Sequence, residues 1–387
     1  MTPDKDTPLA AIIRDRIQKS GPMPFPSFMG MALYDAAHGY YAKGPGRTGR
    51  AGDFFTSVSV GPVFGELLAG QFCEVWEQLG KPAPFTVIER GASDGAFALD
   101  ALSWAAAERP DFFDALRYRI DEPLPALESA QRQSLTSFGN RVEWAFGDPV
   151  TGIFFANELL DAIPFRRVRW NGTEWRELLV SFDASSDAFT WLESEPRDRA
   201  TVRRLQALGT DFPAGYTTEI APAVASEMRL ASSSIEQGAL FFIDYGYPAA
   251  DYYHPSRTTG TLRCYRVHKA HENPFDAIGE TDITAHVDFS FAARAATAAG
   301  CTLLAFLNQS RFLTAAAAPV LRRMEGHSPG THASKWLRQF QTLTHPSQLG
   351  HSFHVLALGK NLPPNVQLSS LQHTRPQDAE ELLHGLP

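Results

Sequence analysis

The sequence predicts an α/β fold built on a mostly parallel sheet that is covered by helices on both faces. From residue 85 onward, short apolar segments alternate with segments of helical periodicity, which is the pattern of a parallel sheet. Hydrophobic residues make up 44% of the 387 residues, enough for a large core and too many for a disordered chain. No run of about 18 apolar residues is present, so no membrane-spanning helix is expected.

Residues 1–80 are predicted to form a helical N-terminal section. Thr7 is a good N-cap and Gly21 a good helix stop, and Pro62 suits the first turn of a later helix. A glycine-rich loop from Gly39 to Gly52 interrupts the section. The expected helices span residues 8–19, a short segment from Ser27, and residues 62–79.

Residues 81–360 are predicted to form the core. Seven strands are expected, at 85–89, 117–121, 141–145, 152–157, 239–244, 301–308 and 352–359, with helices near 95–108, 125–138, 222–236 and 287–299. Two strand patterns flank Asn171-Gly172, which predicts a β-hairpin at the start of an insertion over 165–237 that also holds a helix near 195–208. The tail, 361–387, is expected to be loosely held, with one short helix near 377–384.

Net charge, cysteine content and the N-terminal residues limit the expected ligands and the expected compartment. The net charge of −8 argues against a general nucleic-acid binder, because phosphate binding needs a basic surface. Three widely spaced cysteines do not suggest a disulfide scaffold, and Cys264, His268 and His271 lack a fourth ligand, so no metal site is predicted. Residues 1–7 resemble neither a secretory signal nor an Arg-rich transit peptide, and we therefore expect a cytoplasmic location.

The most informative segment follows the first core strand. The apolar strand ends in Glu89, and a tight turn with Gly91 and Gly95 leads into a helix. The second strand ends in Asp121, which is placed to accept ribose hydroxyl hydrogens, and Asp148 follows the third strand, where it is placed to meet an adenine amine. Together these residues predict a site for an adenosine-containing ligand.

The same turn also allows other interpretations. Gly91-Ala92-Ser93-Asp94-Gly95 matches the G-x-S-x-G elbow of serine hydrolases, in which Ser93 would be the nucleophile. Asp244 and one of His268, His271 or His286 would complete the triad. This reading ranks lower, because mostly helix precedes the turn and the strand-end acids would have no role. A nicotinamide-dependent oxidoreductase and a purely structural turn also stay open.

Several ordered blocks between about Gly21 and Gly359 are more specific than the glycine turn. They are Phe28–Asp35 with His38–Tyr41 ("LYDPxxGYY"), Gly52–Ser57 ("GDFxT"), Phe64–Leu67, Phe155–Pro164 ("NExxDAxP"), Phe242–Gly246 ("DYG"), Gly260–Tyr265 and Asp282–Phe289. In this order the blocks resemble the MidA family of S-adenosylmethionine-dependent methyltransferases.

The resemblance implies a class I methyltransferase fold of Rossmann-like type with S-adenosyl-L-methionine as cofactor. It also implies a protein substrate, such as a respiratory-complex subunit, with arginine as the methylated side chain. An arginine nucleophile needs carboxylates that pair with the guanidinium. We therefore expect catalytic roles for Glu158, Asp161 and Asp53. Cofactor-binding roles are expected for Glu89, Gly91, Ser93, Gly95, Asp121, Asp148 and Asn157.

Two departures from the family pattern support a second hypothesis. Ser93 stands where the family has the middle glycine of its Glu-x-Gly-x-Gly-x-Gly turn. Val58-Ser59 stands where the family has Pro-Glu after the "GDFxT" block. A chain with these changes is also compatible with an assembly or binding factor of the same fold that has reduced activity. The sequence does not indicate an oligomeric state.

Overall fold

The computed structural model describes residues 7–44, 56–145, 147–325, 330–372, 374 and 376–384. Its strands are β1 (Met23–Pro24), β2 (Phe85–Arg90), β3 (Leu116–Asp121), β4 (Val142–Glu143), β5 (Val150–Asn157), β6 (Arg166–Trp170), β7 (Trp175–Asp183), β8 (Ala188–Ser194), β9 (Thr217–Ile220), β10 (Ile235–Tyr247), β11 (Arg263–Arg266), β12 (Lys269–His271), β13 (Asp282–Thr284), β14 (Val287–Asp288), β15 (Thr302–Asn308) and β16 (Phe353–Lys360). Its helices are α1 (Pro8–Ser20), α2 (Phe25–Tyr34), α3 (Val63–Gln78), α4 (Ala96–Glu108), α5 (Pro110–Ala115), α6 (Pro125–Ser134), α7 (Arg199–Leu208), α8 (Val224–Ser234), α9 (Ala249–Tyr252), α10 (Phe289–Ala298), α11 (Gln309–Met324), α12 (Thr331–Thr344) and α13 (Pro376–His384).

The central sheet has the strand order β15-β16-β10-β5-β2-β3-β4, and short β14 pairs with the far end of β10. The strands from β10 to β4 are parallel, whereas β16 runs antiparallel to both of its neighbours. This confirms the predicted α/β fold with a mostly parallel sheet, and all seven expected core strands are present. The eighth strand, β14, was not predicted.

The middle strands are apolar because helices cover both faces of the sheet. Along β5 and β10, neighbouring phenylalanines alternate between the two faces. Phe155 and Phe241 pack against Phe72 of α3 on one face, with ring centroids 5.7 and 5.9 Å away. Phe154 and Phe242 face the other side, where α8 and α10 complete the core. The two faces therefore hold separate clusters of buried side chains.

The predicted hairpin is present but belongs to a larger sheet. Strands β6 and β7 join at Asn171-Gly172, where Asn171 Oδ1 accepts hydrogen bonds from the backbone N–H groups of Thr173 and Glu174. Strands β1, β8 and β9 extend this hairpin into a five-stranded antiparallel sheet. The N-terminal section is thus not wholly helical, because β1 joins the sheet of the insertion.

The C-terminal part differs from the sequence-based expectation in two ways. Helices α11 and α12 fill the interval between β15 and β16, which the sequence pattern left unassigned. The tail is packed rather than loosely held, because Leu368 and Leu382 are buried in the two core clusters. Among the described residues, no helix has both the length and the apolar character needed to cross a bilayer.

Candidate active site

A cavity of about 410 Å³ opens at the carboxyl ends of β2, β3 and β5. This is the edge at which open α/β sheets bind ligands, and the volume suits a nucleoside-sized molecule. Its walls come from the β2–α4 turn, the ends of β3 and β5, the end of α2 and residues 56–59. The polar lining residues include Tyr34, Tyr41, Glu89, Arg90, Ser93, Asp121, Glu122, Asn157, Glu158 and Glu227.

The turn after β2 is built from residues with positive φ. Gly91, Ser93 and Gly95 have φ of 75°, 49° and 82°. A Cβ on Gly91 would lie 3.1 Å from Leu159 Cδ1, so the missing side chain keeps this wall of the cavity open. Gly91 and Ser93 line the cavity. Gly95 is not among the lining residues, and it packs instead against Ser134 and Gln131 of α6.

Acidic side chains gather at the strand ends, as the sequence predicted. Glu89 is buried, its Oε2 accepts a hydrogen bond of 2.7 Å from the Tyr118 hydroxyl, and burial raises its pKa to about 8. Asp121 ends β3 and lines the cavity. The neighbouring Glu122 also lines it; its Oε1 accepts a hydrogen bond from the Leu124 N–H, and burial raises its pKa to about 7.

Sequence reasoning missed Arg90, which holds two of these acids together. Its guanidinium forms an ion pair with Asp121 through Nη1, and its Nε lies 2.9 Å from Oε1 of Glu227 in α8. All three side chains line the cavity. Arg90 could have been predicted as a site residue, because it lies between Glu89 and Gly91 in the predicted turn. Glu227 lies 137 residues further along the chain, and no local sequence feature connects it with the site.

The block after β5 places a carboxyl group in the same cavity. Asn157 and Glu158 both line it, and Asn157 Nδ2 donates a hydrogen bond of 2.9 Å to Glu158 Oε1. The Tyr245 hydroxyl lies 3.4 Å from Glu158 Oε2. Glu158 has a φ of 52°, and its backbone N–H is bonded to the Ile243 carbonyl oxygen. Burial raises the pKa of Glu158 to about 8.

Asp161 lies next to this wall but lines a second cavity, between α7, α8 and α9, rather than this one. It is 8% exposed, and its Oδ1 has no hydrogen-bond partner among the described residues. Burial raises its pKa, and the nearby carboxylates of Asp244, Asp282 and Glu158 raise it further. Asp244 Oδ2 accepts the backbone N–H groups of Leu160 and Asp161, which anchors this segment to the end of β10. The result is a cluster of acidic side chains beside the cavity.

Two tyrosines separate part of this acidic cluster from the cavity. The rings of Tyr34 and Tyr41 stack with centroids 5.5 Å apart, and both line the cavity. The Tyr34 hydroxyl donates to the Ala162 carbonyl oxygen, and the Tyr41 hydroxyl donates to Asp282 Oδ1, each at 2.9 Å. They therefore combine an aromatic wall with contacts to the segment that carries Asp161.

The remaining predicted residues lie elsewhere. Asp148 lines a shallow depression with Ser232 and Lys360, and the structure does not bring it to the cavity. Asp53 lies outside the described residues. Across the described ranges, no group of three or more His, Cys, Asp and Glu side chains is arranged to hold a metal ion.

The hydrolase triad is not assembled in this structure. Ser93 lines the cavity, but His286 lines a different cavity between α7, α8 and α9. His268 and His271 lie on the β11–β12 hairpin, and Asp244 binds the backbone after β5. No histidine is among the described residues that line the cavity containing Ser93.

Comparison with known proteins identifies the ligand class. Residues 67–307 match a family described as "Putative S-adenosyl-L-methionine-dependent methyltransferase". A crystal structure from Burkholderia thailandensis, of a protein bound to S-adenosyl-homocysteine, aligns with a TM-score of 0.86 and 32% identity over 95% of this chain and 96% of that one. The mitochondrial protein arginine methyltransferase NDUFAF7 homolog of Drosophila melanogaster is 26% identical over 90% of this chain and 84% of its own length. That of Danio rerio is 27% identical over 72% and 69%.

These relatives contradict one expectation. The curated relatives from Drosophila melanogaster and Danio rerio are named as mitochondrial proteins, so the predicted cytoplasmic location is wrong. That prediction depended on the composition of residues 1–7, the scattered cysteines and the lack of a long apolar run, and none of these features defines a compartment.

The cavity is compatible with the ligand that the comparisons indicate. Gly91 leaves room for a close backbone approach, and Asp121 Oδ1 has no hydrogen-bond partner in the described part of the chain. A carboxylate oxygen of this kind suits the hydroxyl groups of a ribose. With a family match over more than half of its length and a closely similar fold, the chain belongs to the MidA family of methyltransferases, which use S-adenosyl-L-methionine as cofactor.

Proposed function

We propose that this methyltransferase methylates an arginine side chain of a protein substrate. The curated relatives are named protein arginine methyltransferases, and the cavity offers the chemistry that such an acceptor needs. The observation that carries the proposal is the carboxyl group of Glu158. It lines the cavity, its bonding partners are neutral groups, and it has no basic partner among the described residues.

A bound guanidinium would stabilise the ionised form of the Glu158 carboxyl group. Burial and the neighbouring Asp244 favour the protonated form of its carboxyl group. A cation bound beside it favours the ionised form, which can then accept two parallel N–H hydrogen bonds. Asp161 does not reach this cavity, but its buried Oδ1 has no hydrogen-bond partner among the described residues and its carboxyl group interacts with that of Glu158. We assign the binding and orientation of the acceptor to Glu158, and to Asp161 a supporting role as an ionisable neighbour that a bound cation would help to ionise.

The chemical step requires a nitrogen nucleophile held in line with an electrophilic carbon. S-adenosylmethionine supplies this carbon as the methyl group of a sulfonium. Glu158 orients the guanidinium and increases the electron density on the attacking nitrogen. With the cofactor bound, its methyl group would pass from sulfur to this nitrogen, and Glu158 would accept the N–H proton that the methylated nitrogen loses and release it to solvent.

Tyr34 and Tyr41 complete the proposed acceptor site. A planar guanidinium stacks well on an aromatic ring, and this contact is stronger for arginine than for lysine. The two rings line the same cavity as Glu158. This combination of aromatic faces and a carboxyl group supports arginine over an acceptor recognised by charge alone.

The cofactor roles follow the lining residues. We assign Glu89, Gly91, Ser93, Asp121 and Asn157 to cofactor binding, with Asp121 on the ribose. Gly95 contributes indirectly, as the residue from which α4 starts. Asp148 is left out of this assignment because it lies at a separate depression.

Labelling with radioactive S-adenosylmethionine tests the acceptor. The protein is incubated with the cofactor and a cell extract, and the labelled proteins are hydrolysed for amino-acid analysis. Methylarginine is expected, and its amount should fall strongly with Glu158→Gln while calorimetry still detects binding of S-adenosylhomocysteine. Label in methyllysine would contradict the arginine assignment. Cofactor binding without any labelled protein would favour the assembly or binding factor instead.

A further inference from the structure

Arg90 occupies an unusual position between two acids of the cofactor cavity. It is the last residue of β2 and lies opposite Asp121, the last residue of β3, in the parallel register. From the other side, Glu227 reaches it from the first turn of α8. The side chains of Asp121 and Glu227 are only 11% and 10% exposed, and that of Arg90 is 26% exposed.

In this arrangement the cation of Arg90 stabilises two neighbouring carboxylates. Two carboxylates that are largely withdrawn from water repel each other, and each favours its neutral form unless a cation is present. One guanidinium neutralises both acids at once: it donates a hydrogen bond to Asp121, and it lies 2.9 Å from Glu227 Oε1 as an ion pair, although that oxygen accepts no hydrogen bond among the described residues. Removing it would leave Asp121 and Glu227 facing each other without a counter-charge, and the adjacent Glu122 would add to the negative field.

We propose that Arg90 is a positioning residue for the cofactor, which fixes the Asp121 carboxylate between β2 and α8 so that its second oxygen is available to the ribose. Arg90 donates a hydrogen bond to Asp121 Oδ2, and Asp121 Oδ1 has no hydrogen-bond partner in the described part of the chain. The inference depends on the proposed role of Asp121 on the ribose. It adds two residues that the sequence had not indicated, because Arg90 and Glu227 determine the position and the ionisation of the Asp121 carboxylate.

A purely structural role for Arg90 predicts something different. If it only tied β2 to α8, its loss would lower stability and would weaken the cofactor site equally at every pH. If it keeps Asp121 ionised, its loss raises the pKa of Asp121. Binding then suffers most at low pH and recovers as Asp121 ionises at higher pH. The charged groups that face Asp121 are Arg90, Glu227 and Glu122, so the substitution of Glu227 should modulate the effect.

Calorimetry with S-adenosylhomocysteine at pH 6.5 and 8.5 tests the proposal, with thermal unfolding to confirm that each variant is folded. Arg90→Met should lower the affinity about tenfold or more at pH 6.5 and clearly less at pH 8.5, relative to the wild type at the same pH. The double variant R90M/E227Q should recover part of the loss, because one repelling charge is gone. Arg90→Lys should be intermediate.

Two results would overturn the inference in distinguishable ways. Wild-type affinity of Arg90→Met at both pH values, or a loss that is equal at both and unaffected by Glu227→Gln, would show that Arg90 does not act through Asp121. Asp121→Asn is the separate control for the ribose contact. If it binds S-adenosylhomocysteine as well as the wild type, the role of Asp121 fails, and this inference fails with it.

Discussion

Replacing Glu158 with glutamine keeps the size of the side chain and removes its ionisation. The pKa of Glu158 is raised to about 8 by burial, so about one-tenth of the molecules carry the carboxylate at pH 7 and about nine-tenths at pH 9. If only the carboxylate binds the guanidinium, wild-type kcat/KM for the acceptor should rise about tenfold between these pH values. A bound cation lowers the pKa of Glu158, so the rise in kcat should occur at lower pH.

The assay is methyl transfer to the labelled acceptor protein, measured from pH 6.5 to 9.5. Glu158→Gln should have a low kcat/KM that lacks this inflection. Tyr245→Phe is the matched control: it removes the contact to Glu158 Oε2 that stabilises the carboxylate, so the inflection should persist at a higher pH. Because Glu89 has a similar pKa, Glu89→Gln should retain the inflection if Glu158 is its source. An inflection that survives Glu158→Gln would refute the reasoning.

Three further substitutions have defined outcomes. The pKa of Glu89 is raised from 4.5 to about 8, so its stabilising contribution is complete below pH 4.5 and is lost as the pH rises through 8. In urea unfolding between pH 5 and 9, the wild type should therefore lose about 4 kcal/mol of unfolding free energy relative to Glu89→Gln. Parallel pH dependences of the two proteins would contradict this. Ser93→Gly should raise the free energy of unfolding by only about 1 kcal/mol, because the relief of backbone strain is partly cancelled by the greater entropy of glycine in the unfolded chain. If Ser93 serves the cofactor through its backbone, the affinity for S-adenosylhomocysteine in calorimetry should stay unchanged, whereas a large gain in affinity would mean that the serine side chain obstructs the cofactor. Asp148→Ala should also leave that affinity unchanged, and a marked loss would place Asp148 at the cofactor.

The central sheet was predictable because its strands carry a strong local signal. Strands β2, β5 and β10 are buried on both faces and therefore read as continuous apolar segments in the sequence. The Asn171-Gly172 pair likewise marked the turn between β6 and β7. Strand β1 is different: it has two residues, and only its pairing with β7 makes it a strand. Such an element depends on a distant partner, which local periodicity does not reveal.

The same distinction explains which site residues were found. Glu89, Asp121 and Glu158 end strands or follow them directly, and the ends of parallel strands meet at one edge of the sheet. Asp148 was expected there because it follows β4. However, β4 ends at Glu143 and β5 begins at Val150, so Asp148 lies just before the start of the next strand and therefore at the opposite edge. The expected position of Asp148 thus depended on where the two-residue strand β4 ends.

The departure at Ser93 is accommodated by contacts beyond the turn. A residue other than glycine at positive φ costs about 1–2 kcal/mol, and Ser93 has a φ of 49°. Gln131 of α6 offsets this cost, because its Nε2 donates a hydrogen bond of 2.8 Å to the Ser93 carbonyl oxygen. Ser134 of the same helix donates to the Asp94 carbonyl oxygen. Because α6 holds the backbone of the turn from outside the cavity, the lost glycine is weak evidence for lost cofactor binding. An activity defect, if one exists, should instead arise on the acceptor side, around Glu158 and the acidic cluster.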